Sequence, residues 1–367
     1  MRNPFRKRTA SDLVGTSLGH EAWLKLRHNA MAVAAMCTIG LFALVAVLGY
    51  LITPDPTPYC NQQYLELATL KPGSRATFLC LADSAAAQRP RPAALGRMLH
   101  GAPLPYTAIP IADDYRFAAD SLHATTVTGQ PLIVPRTDVE KVQRRTFLLG
   151  TDAYGRDVLS MLMIGSRVSL SVGFIAIAIA LALGVTLGAL AAYHGGWVDN
   201  LIMWLINVVW SIPTVLLVIA ITFALGKGFW QIFVAVGLTM WVDVARVVRG
   251  ELLSLREKEY IEATRALGYG TFRTVVRHLL PGTVGAVMVI AASNFASAIL
   301  LEAGLSFLGI GVQPPMPSWG SMVKDNTAYL LLDSAYLALV PGVAIMLLVL
   351  AFMVLASCLR DALDTRA

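Results

Sequence analysis

The sequence predicts an all-α membrane protein with six transmembrane helices. Of 367 residues, 56% are hydrophobic and 14% charged, and the mean hydropathy is +0.63, too apolar for one water-soluble core. Six charge-poor segments approach or exceed the length that crosses a hydrocarbon layer. Short connecting segments differ sharply in Lys and Arg content, as the two sides of a membrane require.

Residues 1–29 form a cytoplasmic tail with six Lys or Arg. Within it, TSLGHEAWLKLRHN (16–29) sets Leu18, Trp23, Leu24 and Leu26 against Lys25 and Arg27, predicting a helix on the inner surface. The first span is 30–52. A basic stretch before an apolar run also suits a signal peptide, but 23 apolar residues exceed a signal's apolar core, which makes it an uncleaved anchor.

Residues 53–146 contain eleven of the eighteen prolines and no sustained helical periodicity, predicting an irregular extracytoplasmic insertion between helices 1 and 2. Its ten Lys or Arg do not decide its side, because so long a loop translocates largely regardless of charge. Cys60 and Cys80 share this insertion, and a disulfide between them would be a local staple in an oxidising compartment. Cys37 and Cys358 fall in apolar spans and read as small hydrophobes.

Residues 147–367 hold the other spans: 169–193, 201–225, 228–242 continuing past Asp243, 279–301 and 334–359. Before the second span, Thr151 or Asp152 can cap a short helix starting near Tyr154. Its polar side is Arg156, Asp157, Ser160 and Arg167; its apolar side is Val158, Leu159, Leu162 and Met163. Such a helix either anchors the span at the outer interface or uses Asp152, Arg156, Asp157 and Arg167 to shape an outer gate or receive a binding protein. Ala180, Gly184, Gly188 and Ala192 recur every four residues, a stripe on which another helix can approach closely. Pro213 predicts a kink in the third span. Asp243 and Arg246, one turn apart, predict a local pair, and Glu302 falls near the outer end of the fifth span.

Between the fourth and fifth spans lies a polar hairpin, 250–282. The stretch from Arg246 to Arg277 carries seven Lys or Arg, whereas the connections at 226–228 and 302–333 carry only Lys227 and Lys324. The hairpin and both termini are therefore expected in the cytoplasm. Tyr260, Ile261, Thr264 and Leu267 fall at helical spacing, and Gly268 stands where a C-terminal cap would end that helix. Thr271 can cap a second helix through Phe272, Val275, Val276 and Leu279, and Pro281 restarts the chain into the membrane. A solvated loop is the plainer alternative.

The stretch EYIEATRALGYGTFRTVVRHLLPG (259–282) resembles the EAA signature of the permease subunits of ABC importers, on Glu262-Ala263-Thr264, Gly268 and Leu280-Pro281. Thr264 departs conservatively from the usual second alanine. LLGTDAYGRDVLSMLMIGSRVSLSVG (148–173), LEAGLSFLGIGVQPPMPSWGSM (301–322) and LRDALDTRA at the end are similar to C-type subunits of the dipeptide, oligopeptide and nickel permeases; Met161 stands where arginine is common. The insertion has no such match. The resemblance implies the type I importer permease fold, with the hairpin as a coupling helix docking in a cytoplasmic ATPase through Glu262, Ala263, Gly268, Leu280 and Pro281. It also implies an inner-membrane location and a second permease subunit, two ATPases or one fused ATPase, and an extracytoplasmic solute-binding protein as partners. ATP and Mg would sit on the ATPases, with no cofactor on this chain.

The residues themselves show no Walker A loop, since Gly226-Lys227-Gly228 lacks the glycine spacing and the Ser or Thr after the lysine. HExxH and CxxC patterns are missing too. The chain is accordingly not expected to be an enzyme, and no nucleic-acid motif appears; its formal +6 charge suits topology and anionic lipid. A proton-coupled carrier would call for a chain of carboxylates at membrane depth, and a receptor using 53–146 as ligand domain would call for a cytoplasmic signalling domain; neither is recognisable.

Overall fold

The computed structural model describes residues 18–83, 92–226 and 228–363. The basic residues of the extreme N-terminus, Lys227 and the last four residues of the LRDALDTRA match lie outside them. Helix α1 (Leu18–His28) leads through Asn29, whose side chain accepts from the Met31 and Ala32 amides, into α2 (Ala30–Ile52). The boundaries of α2 are those expected from its uncharged run. In α1 the buried residues are Ala22 and Leu26, packed with Leu359 and Ala362 near the chain's end, while Trp23 and Leu24 are exposed. Its apolar residues thus divide between a packed face and an outer one.

The insertion is not irregular. After α2 come β1 (Ser74–Ala82), a short α3 (Ala94–His100), β2 (Tyr106–Ile111), β3 (Arg116–Phe117), β4 (Ser121–Thr125), β5 (Pro131–Pro135) and β6 (Val139–Phe147). They form two antiparallel three-stranded sheets, β2-β1-β6 and β3-β4-β5. Central strand β1 is covered on both faces. Phe78 and Cys80 pack with Tyr64, Leu67 and Phe147, whereas Leu79 points the other way into Ile111, Leu122 and Val134 of both sheets. A strand buried on both faces reads as an apolar run rather than an alternation, which hides it from periodicity.

The expected disulfide is also corrected. Cys60 and Cys80 are both free and buried. Cys80 lies in the sheet cluster, while Cys60 packs with Tyr50, Val158 and other span residues, its thiol donating to the Asp55 carbonyl at 3.1 Å. Burial pushes the Cys60 thiol well above its ordinary range.

Below the insertion run α4 (Val158–His194), α5 (Gly196–Trp210), α6 (Thr214–Leu225), α7 (Phe229–Arg256), α8 (Glu259–Ala266), α9 (Thr271–Phe307, with a π-helical turn at Val275–Leu279), α10 (Trp319–Asp325) and α11 (Tyr336–Leu363). Among the described residues five helices are long and apolar enough to cross a membrane: α2, α4, α7, α9 and α11. The expected third span is instead the pair α5 and α6, bent by 94° at the Ser211–Pro213 break. Pro213 lacks an amide proton and clashes with a preceding helical turn, so the chain restarts after it. No separate interfacial helix begins near Tyr154: those residues form a loop and the first turns of α4. As expected, α7 continues past Asp243, by another thirteen residues to Arg256.

The small-residue stripe does what its spacing suggests. Gly184 and Gly188 leave room for α7: a Cβ on Gly184 would lie 2.7 Å from the Trp241 carbonyl oxygen, and one on Gly188 2.5 Å from that of Ala245. Ala180 and Ala192 are fully buried or nearly so. This close α4–α7 contact is the spine of the molecule.

Candidate functional site

The hairpin grows directly from that spine. α7 ends at Arg256, whose Nη1 donates to the Ala192 carbonyl at 3.1 Å and so closes the end of α4. In α8, Ile261 and Thr264 are buried, and the Thr264 hydroxyl donates to the Ile261 carbonyl. Ile261 belongs to one cluster with Leu252 and Leu255 of α7 and Leu279 of α9. Tyr260 and Leu267, expected on the packed side, are exposed.

Gly268 ends α8 with φ +74°, where glycine is favoured. The Leu267 and Tyr269 amides donate to the Ala263 and Thr264 carbonyls, closing the open end of the helix. The next helix is capped by Gly270 rather than Thr271, which instead accepts from the Tyr193 hydroxyl at 3.2 Å. Leu280 and Pro281 open the regular part of α9 after the π turn. Glu262 and Ala263 are exposed, and so are Leu267 and Phe272 of the same hairpin. A stack absent from the sequence reading stiffens this tip: the Tyr269 ring lies over His278, centroids 5.7 Å apart, with the Arg273 guanidinium 4.5 Å from the Tyr269 ring. Only the paired aromatic residues at 269 and 278, with Arg273 between, could have suggested it.

The other group of expected site residues joins the insertion to the spans. Asp152 accepts from the Tyr154 and Arg156 amides, both at 2.9 Å, and forms a buried ion pair with the Arg156 guanidinium at 2.6 Å. Asp157 caps α4 by accepting from the Ser160 amide and hydroxyl; the Asp55 amide donates to the same Ser160. Burial pushes the Asp157 carboxyl up, against the bonds from Ser160. Arg167 donates to four carbonyls, Ala46 and Val47 of α2 and Met98 and Leu99 of α3, with the Tyr50 ring 4.9 Å away. Its one guanidinium thereby pins the insertion's helix and the first span to the second.

One acidic residue differs from expectation. Asp243 makes no direct salt bridge to Arg246, whose guanidinium lies 3.8 Å from the Trp210 ring and acts on the carboxylate only through space. Asp243 instead lines a cavity of about 440 Å³ between the broken span, α7 and α9. Glu302 stands near its span's end as expected, in the last turns before Phe307, and is fully buried, accepting from the Ser306 hydroxyl at 2.7 Å and the Ser169 hydroxyl at 3.4 Å. Ser306 also accepts from the Val312 amide, so Glu302 ties α4 to the turn after α9. Among the described residues no group of three or more His, Cys, Asp or Glu could hold a metal ion.

Residues 184–367 match the family described as binding-protein-dependent transport system inner membrane component, and residues 17–72 match the N-terminal TM domain of oligopeptide transport permease C. The chain is 39% identical over 218 residues to the glutathione transport system permease protein GsiD of Pectobacterium atrosepticum, covering 59% of this chain and 72% of that protein. It is 40% identical over 217 residues to the dipeptide transport system permease protein DppC of Alkalihalophilus pseudofirmus, covering 59% and 71%. Among solved structures, the inward-facing MetNI methionine ABC transporter aligns at a TM-score of 0.45 and 19% identity, over 56% of this chain and 97% of that one.

Proposed function

Because the chain belongs to the binding-protein-dependent transport system inner membrane components, we propose that it is the C-type permease subunit of an ABC importer for short peptides, coupled to its ATPases through the 250–282 hairpin. The relatives' names supply the substrate class: one is a dipeptide permease and another a permease for glutathione, itself a small peptide.

The observation that carries the coupling is the contrast between the hairpin's root and tip. The root is clamped, through Ile261 and Leu279, to the same cluster that joins α4 and α7. The tip exposes a carboxylate, Glu262, and two large apolar side chains, Leu267 and Phe272, groups suited to a partner groove with an apolar floor and a basic rim. A push on the tip then moves the α7–α9 unit as a rigid body, the kind of motion that alternates access across a membrane.

In this reading a second permease subunit completes the path, two ATPases or one fused ATPase dock beneath it, and a solute-binding protein delivers peptide outside. ATP and Mg are bound by the ATPases. Both termini and the hairpin face the cytoplasm and the insertion faces outward.

The test is the transporter reconstituted in lipid discs with Glu262→Ala. Membrane abundance should stay near wild type, while ATPase association or peptide-stimulated hydrolysis falls by roughly tenfold, the scale of a lost charge-assisted contact. Wild-type values in both assays would leave the hairpin a solvated loop.

A further inference from the structure

At the break of the third span, α5 and α6 lean away from each other and, with α7 and α9, surround the cavity of about 440 Å³. That volume is within the range of small-ligand sites. Most of the wall is apolar, including Val215, Met240 and Leu301; its polar members are Thr214, Thr239, Asp243, Asn294 and Ser297, and the Trp210 indole also lines it.

Several of these polar members present acceptors to the cavity. The Thr239 hydroxyl donates to the Val236 carbonyl at 2.8 Å, and the Ser297 hydroxyl donates to the Ser293 carbonyl at 3.3 Å. The Asn294 amide nitrogen donates to the Met240 carbonyl at 3.5 Å. With both hydroxyl protons committed inside the protein, Thr239 and Ser297 offer an occupant oxygen lone pairs, as does the Asn294 carbonyl oxygen. Asp243 adds a carboxylate with no direct salt bridge; the Trp210 side chain hydrogen-bonds it, and Arg246, outside the wall, acts on it through space. An occupant that supplies several donors and a positive charge fits; a carboxylate end facing Asp243 is repelled.

We propose that this cavity is a binding site for the free ammonium terminus of a peptide, with Asp243 as its counter-charge. The proposal rests on the reading of the chain as a peptide permease and adds a selection step within the membrane, separate from any made by the binding protein.

The experiment uses the assembled transporter in lipid discs without binding protein or nucleotide, and equilibrium binding of radiolabelled dialanine and N-acetyl-dialanine. Wild type should bind dialanine saturably and the acetylated peptide roughly tenfold or more weakly, the factor expected for one charge-assisted hydrogen bond. Asp243→Asn should remove that difference by weakening dialanine alone, and Asp243→Glu should restore part of it. Equal wild-type affinity for the two peptides, or no saturable binding of either, overturns the site even where a variant misfolds. ATP-driven uptake of a mixed di- and tripeptide pool, with binding protein added to the same wild-type preparation, separates the two conclusions. Uptake without an amine preference in binding removes the site and leaves the permease reading standing, whereas absence of uptake strikes the permease reading itself.

Discussion

Gly188 of α4 and Ala245 of α7 meet backbone to backbone: a methyl group on Gly188 would stand 2.5 Å from the Ala245 carbonyl oxygen and 3.0 Å from the Val248 side chain. Neither neighbour can yield without parting two long helices that together root the hairpin.

Gly188→Leu should therefore destabilise the protein by about 1–3 kcal/mol, as overpacking of a tight contact does. The measurement is thermal unfolding of detergent-solubilised protein. Gly40→Ala in α2, where nothing lies within 4 Å of a new Cβ, should leave the midpoint unchanged or slightly higher. Equal midpoints for both variants would show that the α4–α7 approach is not tight.

Asp199 of α5 and Arg249 of α7 form a two-pronged pair, with both nitrogen–oxygen distances 2.6 Å. The two side chains are 18% and 26% exposed, which places the pair between a surface bridge and a buried one. A double-mutant cycle with Asp199→Asn and Arg249→Gln should give a coupling of about 2 kcal/mol. Additive single effects would show that α5 is held by packing alone.

All four cysteines should titrate as free thiols once the protein is unfolded in denaturant without reductant. In the folded protein Cys60 and Cys80 should resist maleimide, because both are buried and burial holds each thiol protonated. Two missing thiols in the unfolded sample would restore the bond between them.

Gly268 has open space around its Cβ position, so its constraint is conformational alone. Gly268→Val should cost about 1–3 kcal/mol locally through the positive φ, while Gly268→Asn, tolerant of that region, should cost less. Co-purified ATPase and stimulated turnover should follow that order, with insertion of the spans unaffected. Equal coupling in both variants would mean the turn does not present Glu262.

The sequence by itself determined whatever depends on neighbours along the chain. Uncharged runs placed α2, α4, α7, α9 and α11, because spanning a hydrocarbon layer demands length and apolarity of one continuous segment. The stop at Gly268 was legible for the same local reason, and so was the small-residue stripe that receives α7.

Only the tertiary structure decided what depends on partners distant in sequence. The insertion's sheets pair β1 with β6, some seventy residues on, and a strand covered on both faces carries no alternation to reveal it. Cys60 and Cys80 share a segment but not a cluster, since one packs on the spans and the other within the sheet. Arg167 looked like a polar residue at an interface and is instead spent on four carbonyls of two other helices. Asp243 looked like half of a local pair; the break at Pro213 brings Trp210 to it from another helix and opens a cavity there. Helical spacing says which residues share a face, but only the packed fold says what stands opposite that face.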